Sequence, residues 1–171
     1  TLQHAGRAEE ISLTWQAADV VVLTGTQVPT DKTREDYPLW RTEARHWHLC
    51  FGWEKGQKMT NKSAGVPILL RKKRLSKSQV VRIFTPPRIL RGRAGAARIR
   101  TATTDHVVIG AHFPPRPIKH SQIAHYQSTV RQLMHWIQGV LDKTAARSTP
   151  MLCIDLNDMM GIPQAPPEQH Y

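Results

Sequence analysis

MLCIDLND, residues 151–158, decides the fold. Met151 to Ile154 form a short apolar run of strand length, and Asp155 and Asn157 follow at its carboxyl end. Side chains two apart on a strand leave on the same face, so the carboxylate and the amide converge. An apolar strand that delivers Asp-x-Asn at its end places polar groups at the rim of an α/β sheet. Asp and Asn also favour strand-ending turns, so the same letters suit a plain turn. Upstream, His120 to Lys143 carries Ile123, Tyr126, Val130, Leu133, Ile137 and Val140 at spacings of three or four, one apolar helical stripe. Gly139 costs that helix about 1 kcal/mol relative to Ala. Before the helix, Ala97 to Ala102 and His106 to His112 flank Thr103-Thr104-Asp105 and predict a hairpin. Phe113-Pro-Pro-Arg-Pro then breaks regular structure.

Further out, Asp19 precedes Val20-Val21-Val22-Leu23, too short for a helix and apolar on both sides, hence a buried strand. His46 to Trp53 reads as a strand. Ala64 to Leu70 is another, with Pro67 placing it at an edge or a bulge. A short strand is expected around Val80 to Phe84 within an exposed loop, and residues 5–16 suggest a weak amphipathic helix. Strands alternating with helices predict an α/β fold, a mixed β-sheet flanked by helices. Residues 1–161 are expected to form one domain, and 162–171, IPQAPPEQHY, a proline-rich disordered tail.

Charge is the strongest compositional signal. Lys and Arg number 24 against 13 Asp and Glu, a net charge of +11 in 171 residues. No acid lies between Glu54 and Asp105, and 14 of the basic residues fall there. A domain with its positive charge in one segment is suited to polyanions, nucleic acid above all, although basic runs also serve as solvated faces. Within 55–104, Arg71, Lys72, Lys73, Arg74, Lys77, Arg91 and Arg93 are the candidate nucleic-acid contacts. RKKR at 71–74 also suits a nuclear-import signal. Cys50 and Cys153 read as reduced thiols of an intracellular protein rather than a disulfide framework. No 18-residue apolar window argues for a membrane-spanning helix. The start, TLQHAGRAEE, offers no secretory signal, and without an initiator Met the chain reads as a piece of something longer.

Five segments, in order, resemble the endonuclease/exonuclease/phosphatase superfamily. ADVVVLTGTQ at 18–27 is similar to its strand ending in a metal-binding Glu, and NKSAGVPILL at 61–70 to its Gly-Val-Ala-Ile strand. HVVIGAHFPP at 106–115 resembles its strand ending in Tyr or His before proline; the 120–142 helix matches in place, and TPMLCIDLND at 149–158 resembles its Gly-Asp-Phe-Asn motif. The loop FGWEKGQKMTNKSAGV looks most like non-LTR retrotransposon endonuclease domains. The resemblance implies an incomplete form of a four-layer α/β sandwich, and a DNA-cutting phosphodiesterase using magnesium or manganese within a longer polyprotein. It assigns Asp155 to orienting or activating water, Asn157 to positioning phosphate, and His112 to steadying developing charge, where the plain alternative is a strand-end histidine.

The chain departs from the pattern too. The family's metal-binding Glu falls on Gly25, which has no ligand to offer, and Gln27 is a poor substitute on a hard cation. The first Asn and the closing Ser-Asp-His motif have no counterpart, so weak or absent cutting is expected, and the second sheet of the fold is expected to be missing. The alternative is a degenerate, non-catalytic domain that binds nucleic acid through 55–104. His46 and His48 lack the further ligands a zinc site needs. Trp40, Trp47 and Trp53 suit core positions better than base stacking.

Overall fold

The structure, a computed structural model, describes residues 15–24, 47–51 and 65–157. The elements are β1 (Val20–Val22), β2 (Trp47–Phe51), β3 (Ile68–Arg71), β4 (Val80–Phe84), β5 (Ala94–Arg100), β6 (Asp105–His112), α1 (Ile123–Asp142) and β7 (Thr149–Asp155). Short 3-10 turns at Trp15–Ala17, Lys77–Gln79, Arg88–Leu90 and His120–Gln122 connect them. The helix expected at 5–16 and the tail at 162–171 lie outside the described residues.

The strands form two sheets rather than the one expected. β1-β3-β2 is antiparallel, and β4-β5-β6-β7 is mixed, with only β6 and β7 parallel among the described pairs. The second sheet is therefore present in part, which corrects the expectation that it is missing. Apolar runs such as VVVL and ILL reveal that a strand is covered on both faces, but not what covers it. Ile68 and Leu70 point between the sheets, onto Ala97, Ile99 and Val108. Leu69 points the other way, with Val21 and Trp47, under Trp15 and Leu23. Gly110 lets the sheets approach: a Cβ there would lie 2.5 Å from Val66 Cγ1 and 2.7 Å from Val22 Cγ1.

On the other face of the four-stranded sheet, α1 lays Leu133, Ile137 and Val140 on Phe84, Leu90, Ala94, Ala96, Val107, Ile109 and Ala111. Full burial of each large apolar side chain contributes roughly 1.5–3 kcal/mol, which outweighs the cost of Gly139 in the helix. Pro67 does not push its strand to an edge. β3 is the middle strand and begins one residue later, and Pro67 needs only its carbonyl, which accepts from the Leu23 N–H at 3.1 Å. The bulge sits instead in β2, between Leu49 and Phe51. β7 is less buried than its letters suggest. It has β6 on one side alone among the described strands, and Met151 and Leu152 are 44% and 53% exposed.

Candidate active site

The parallel register of β6 and β7 builds the site. Pairing runs from His106↔Thr149 to His112↔Asp155, so both strands end together with His112 opposite Asp155. The Phe113 N–H donates to the Asp155 carbonyl at 2.8 Å and carries the ladder one step further. Asp155 Oδ1 accepts the Asn157 backbone N–H at 3.1 Å, an Asx-turn, and Asn157 takes φ 48°, left-handed backbone that Asn tolerates well. The turn reading and the site reading of Asp-x-Asn are thus both realised, since the turn is what swings the amide back over the strand ends.

The Asn157 side-chain amide then donates twice, to the Phe113 carbonyl at 3.0 Å and to His112 Nε2 at 2.8 Å. The carbonyl can only accept, which identifies the shared atom as the amide nitrogen. Nε2 must therefore carry the lone pair, and the ring proton of the neutral imidazole sits on Nδ1. Nδ1 is buried without a hydrogen-bond partner among the described residues. His112 is 4% exposed. Burial pushes its pKa below the ordinary value, with the Asp155 charge opposing and Arg93 reinforcing the shift. Asp155 Oδ2 is 3.8 Å from His112 Nε2, and its side chain is 41% exposed, so the carboxylate reaches solvent at the rim.

Arg93 joins these residues, although its sequence signal is only that of one more cation in a basic segment. Its carbonyl accepts the His112 N–H at 2.7 Å and its guanidinium donates to the His112 carbonyl at 3.4 Å. Partial burial lowers its pKa. The backbone reaches this point through Gly92 (φ 78°), whose carbonyl accepts from Gly65 (φ 128°) at 2.5 Å. Both values are costly for any residue with a Cβ.

The other basic candidates divide. Arg91 is exposed, two residues before Arg93. Val22 pairs with Ile68 and Gly110 packs on Val22, so the start of β3 lies at the His112 end of the sandwich and Arg71 at the far end. Lys72, Lys73, Arg74 and Lys77 follow there, exposed. Arg71 is bound within the fold: Nε donates to the Ala18 carbonyl at 2.6 Å, Nη2 to the Trp15 carbonyl, and the guanidinium stacks 4.6 Å from the centre of the Trp47 ring. Arg74 pairs with Asp19 at 3.1 Å. Gly25, His46, Trp40 and Trp53 lie outside the described residues.

Asp155 is the one carboxylate at the described rim, and among the described residues no three His, Cys, Asp or Glu side chains gather as a metal cluster. A resident magnesium ion takes an octahedron of oxygen ligands that includes one or two carboxylates. With His112 Nε2 engaged by an amide and Asp155 Oδ1 by a backbone N–H, the described donors do not fit such an ion on their own.

No family model matches the chain, and no curated protein is similar enough in sequence to place it. Solved structures do resemble it. TDP2 of D. rerio in complex with a single-strand DNA product is 17% identical with a TM-score of 0.60, covering 92% of this chain and 56% of that one. The 3′ phosphatase NExo from Neisseria, bound to a product DNA hairpin, is 16% identical with a TM-score of 0.58, over 89% of this chain and 53% of that one. Sphingomyelinase C from Streptomyces griseocarneus is 20% identical with a TM-score of 0.58, over 90% and 57%. This chain spans just over half the length of these proteins. At these identities the likeness is one of fold, and the chain carries the fold of the endonuclease/exonuclease/phosphatase superfamily in partial form.

Proposed function

We propose that this chain is part of a retrotransposon-type DNA endonuclease, in which the groups that handle water and phosphate persist while the metal-holding half is depleted. It binds DNA and cuts it slowly at most. The observation that supports this reading is the convergence of His112, Asp155 and Asn157 at the carboxyl ends of the parallel pair, in a fold shared with phosphodiesterases. Asp155, open to solvent, accepts a hydrogen bond from an incoming water and orients its lone pair. Asn157 has both amide hydrogens committed, so a phosphate oxygen takes one by replacing His112 Nε2 or the Phe113 carbonyl as acceptor. His112 is thus a positioning residue that presets the amide. Arg93 supplies positive charge behind them. Magnesium or manganese dependence and a polyprotein setting belong to the proposal through the family resemblance, DNA as partner through that resemblance and the basic segment 55–104, and an intracellular, nuclear location through the lone cysteines and the RKKR run at 71–74.

A second reading, nucleic-acid binding without cutting, is supported by Gly25 in place of a metal-binding Glu and by the single carboxylate at the described rim. One experiment separates the two. The chain is incubated with supercoiled plasmid and Mg²⁺, with and without EDTA, beside Asp155→Asn. Slow nicking that both EDTA and Asp155→Asn abolish supports the endonuclease. Binding without nicking supports the second reading, and absence of DNA binding defeats both. In the binding arm, Lys72→Ala, Lys73→Ala and Lys77→Ala together should lower the slope of log affinity against log salt by about 0.9 for each phosphate that is no longer neutralised. Arg71 is kept, because its removal would unfasten Trp15 from β3.

A further inference from the structure

On the helical face of the four-stranded sheet, away from the His112 rim, β4 and the last turns of α1 border an open pocket of about 350 Å³. Its lining includes Arg82, Phe84, Trp136, Gly139 and Lys143. The volume falls at the low end of the range for small-ligand sites. Two cations line it and, among the described residues, no acid does; Asp142, the nearest along the helix, accepts a hydrogen bond from Gln138 at 2.8 Å instead. Arg82 is held in place, its guanidinium 4.8 Å from the centre of the Phe84 ring. Trp136 packs partly on the core and borders the cavity with the rest of its surface. The helix keeps Gly139 at a cost in stability, and a Cβ there would meet nothing within 4 Å among the described residues. Packing therefore does not demand the glycine, and its missing side chain leaves that stretch of the pocket wall open.

We propose that this pocket binds one nucleotide unit, the base against Trp136 and the phosphate between Arg82 and Lys143. The chemistry is that of an aromatic platform beside cations, which takes a flat base and an anion together. The inference does not rest on nuclease activity, since a chain that never cuts DNA would bind a strand in the same way. The source is a single strand of nucleic acid or a free nucleotide, which share this chemistry.

The test compares a short labelled oligothymidylate with an abasic strand of equal length, on the wild type, on Gly139→Leu, and on Arg82→Gln combined with Lys143→Gln, with thermal unfolding as the control for folding. Stacking of one base should make the wild type prefer the thymidine strand by about tenfold. Gly139→Leu fills the cavity with a good helix former and should erase that preference without lowering the melting temperature. The double variant should weaken both strands. If Gly139→Leu fails to fold, the double variant and the abasic comparison carry the test. Competition by thymidine monophosphate assigns the site to a free nucleotide, and failure to compete assigns it to a strand. Equal affinity of the wild type for both strands would overturn the proposal, as would an undiminished preference in a folded Gly139→Leu.

Discussion

The two ends of the β6–β7 pair carry one aspartate each and use it differently. At the amino end, Asp105 is 10% exposed and saturated: it accepts from Arg98 Nε at 2.8 Å, Arg98 Nη2 at 2.5 Å and Ser148 Oγ at 2.9 Å, with Arg147 Nε at 3.4 Å. At the carboxyl end, Asp155 accepts one backbone N–H, stands 3.8 Å from a buried neutral imidazole and is 41% exposed. A carboxylate surrounded by fixed donors holds two segments together and has no lone pair left for a ligand. A carboxylate with one fixed donor and an open side has a stable orientation and free capacity. The same strand pair therefore fastens the hairpin to the start of β7 at one end and presents a site at the other. Nδ1 of His112 is buried without a partner among the described residues, but so is Nδ1 of His106 at the amino end, so it is the two carboxylates and not the ring nitrogens that set the ends apart.

The largest effect should come from between the ends. Gly110→Val drives a branched side chain into Val22 and Val66, and overpacking of this kind costs about 1–3 kcal/mol or somewhat more. Denaturant unfolding should show that loss, and DNA binding at the rim should fall with it, because Gly110 lies two residues before His112. Unchanged stability would mean that the sheets can separate at this point, and the contrast between the ends would lose its common frame.

Asp105→Ala comes next and should act on stability alone. Arg98 would be left half-buried without its bidentate partner, and the melting temperature should drop while DNA affinity, measured where the protein is folded, holds. The pH dependence has a definite sign. The Arg98 hydrogen bonds, followed by those from Ser148 and the nearby cations, hold the Asp105 carboxyl well below the usual carboxylate range. Its contribution is thus complete above about pH 4 and is lost as pH falls further. Asp105→Ala should flatten the acid limb of the stability profile, and an unaltered limb would show that the cluster does not fasten the hairpin.

Asp155→Asn should be nearly silent in stability, within about 0.5 kcal/mol as for exposed positions, yet remove whatever nicking the wild type shows. A large loss of stability would make the two aspartates alike and undo the contrast. The smallest effect belongs to His112. Its folded pKa lies below the unfolded value of 6.5, so the unfolded chain takes up a proton that the folded one refuses. Stability should fall as pH drops through about 6.5 and level off once the folded ring also protonates. Difference curves of wild type against His112→Gln between pH 7.5 and 5 should display that slope. No difference would mean that the ring is already free to protonate in the fold.

Much of this architecture is legible in the letters. The stripe from Ile123 to Val140 announces α1, because a helix that buries one face must repeat its apolar residues every three or four positions. The hairpin shows in Thr103-Thr104-Asp105 between two apolar runs, although the ladder closes at Arg100↔Asp105 and the aspartate belongs to the strand. Asp155, Asn157 and His112 stand out as strand-end polar groups. Arg71 misleads: in sequence it is the first of four consecutive basic residues, and in the fold it bonds to carbonyls 53 and 56 residues away and stacks on Trp47. A run of charges carries no mark of which member turns inward.

By itself the sequence determined the element types, the excess of positive charge between Glu54 and Asp105, and the polar ends of β6 and β7. These follow from local periodicity and composition, which act within a few residues. Only the tertiary structure decided that the strands divide between two sheets, that Gly110 is a point of close approach between them, and that Arg93 sits behind His112. It also decided the tautomer, since Nε2 of His112 is fixed by an amide 45 residues away. Each of these depends on contacts between segments far apart in the chain, and the free energy of such a contact is set by the partner that arrives as much as by the residue that waits for it.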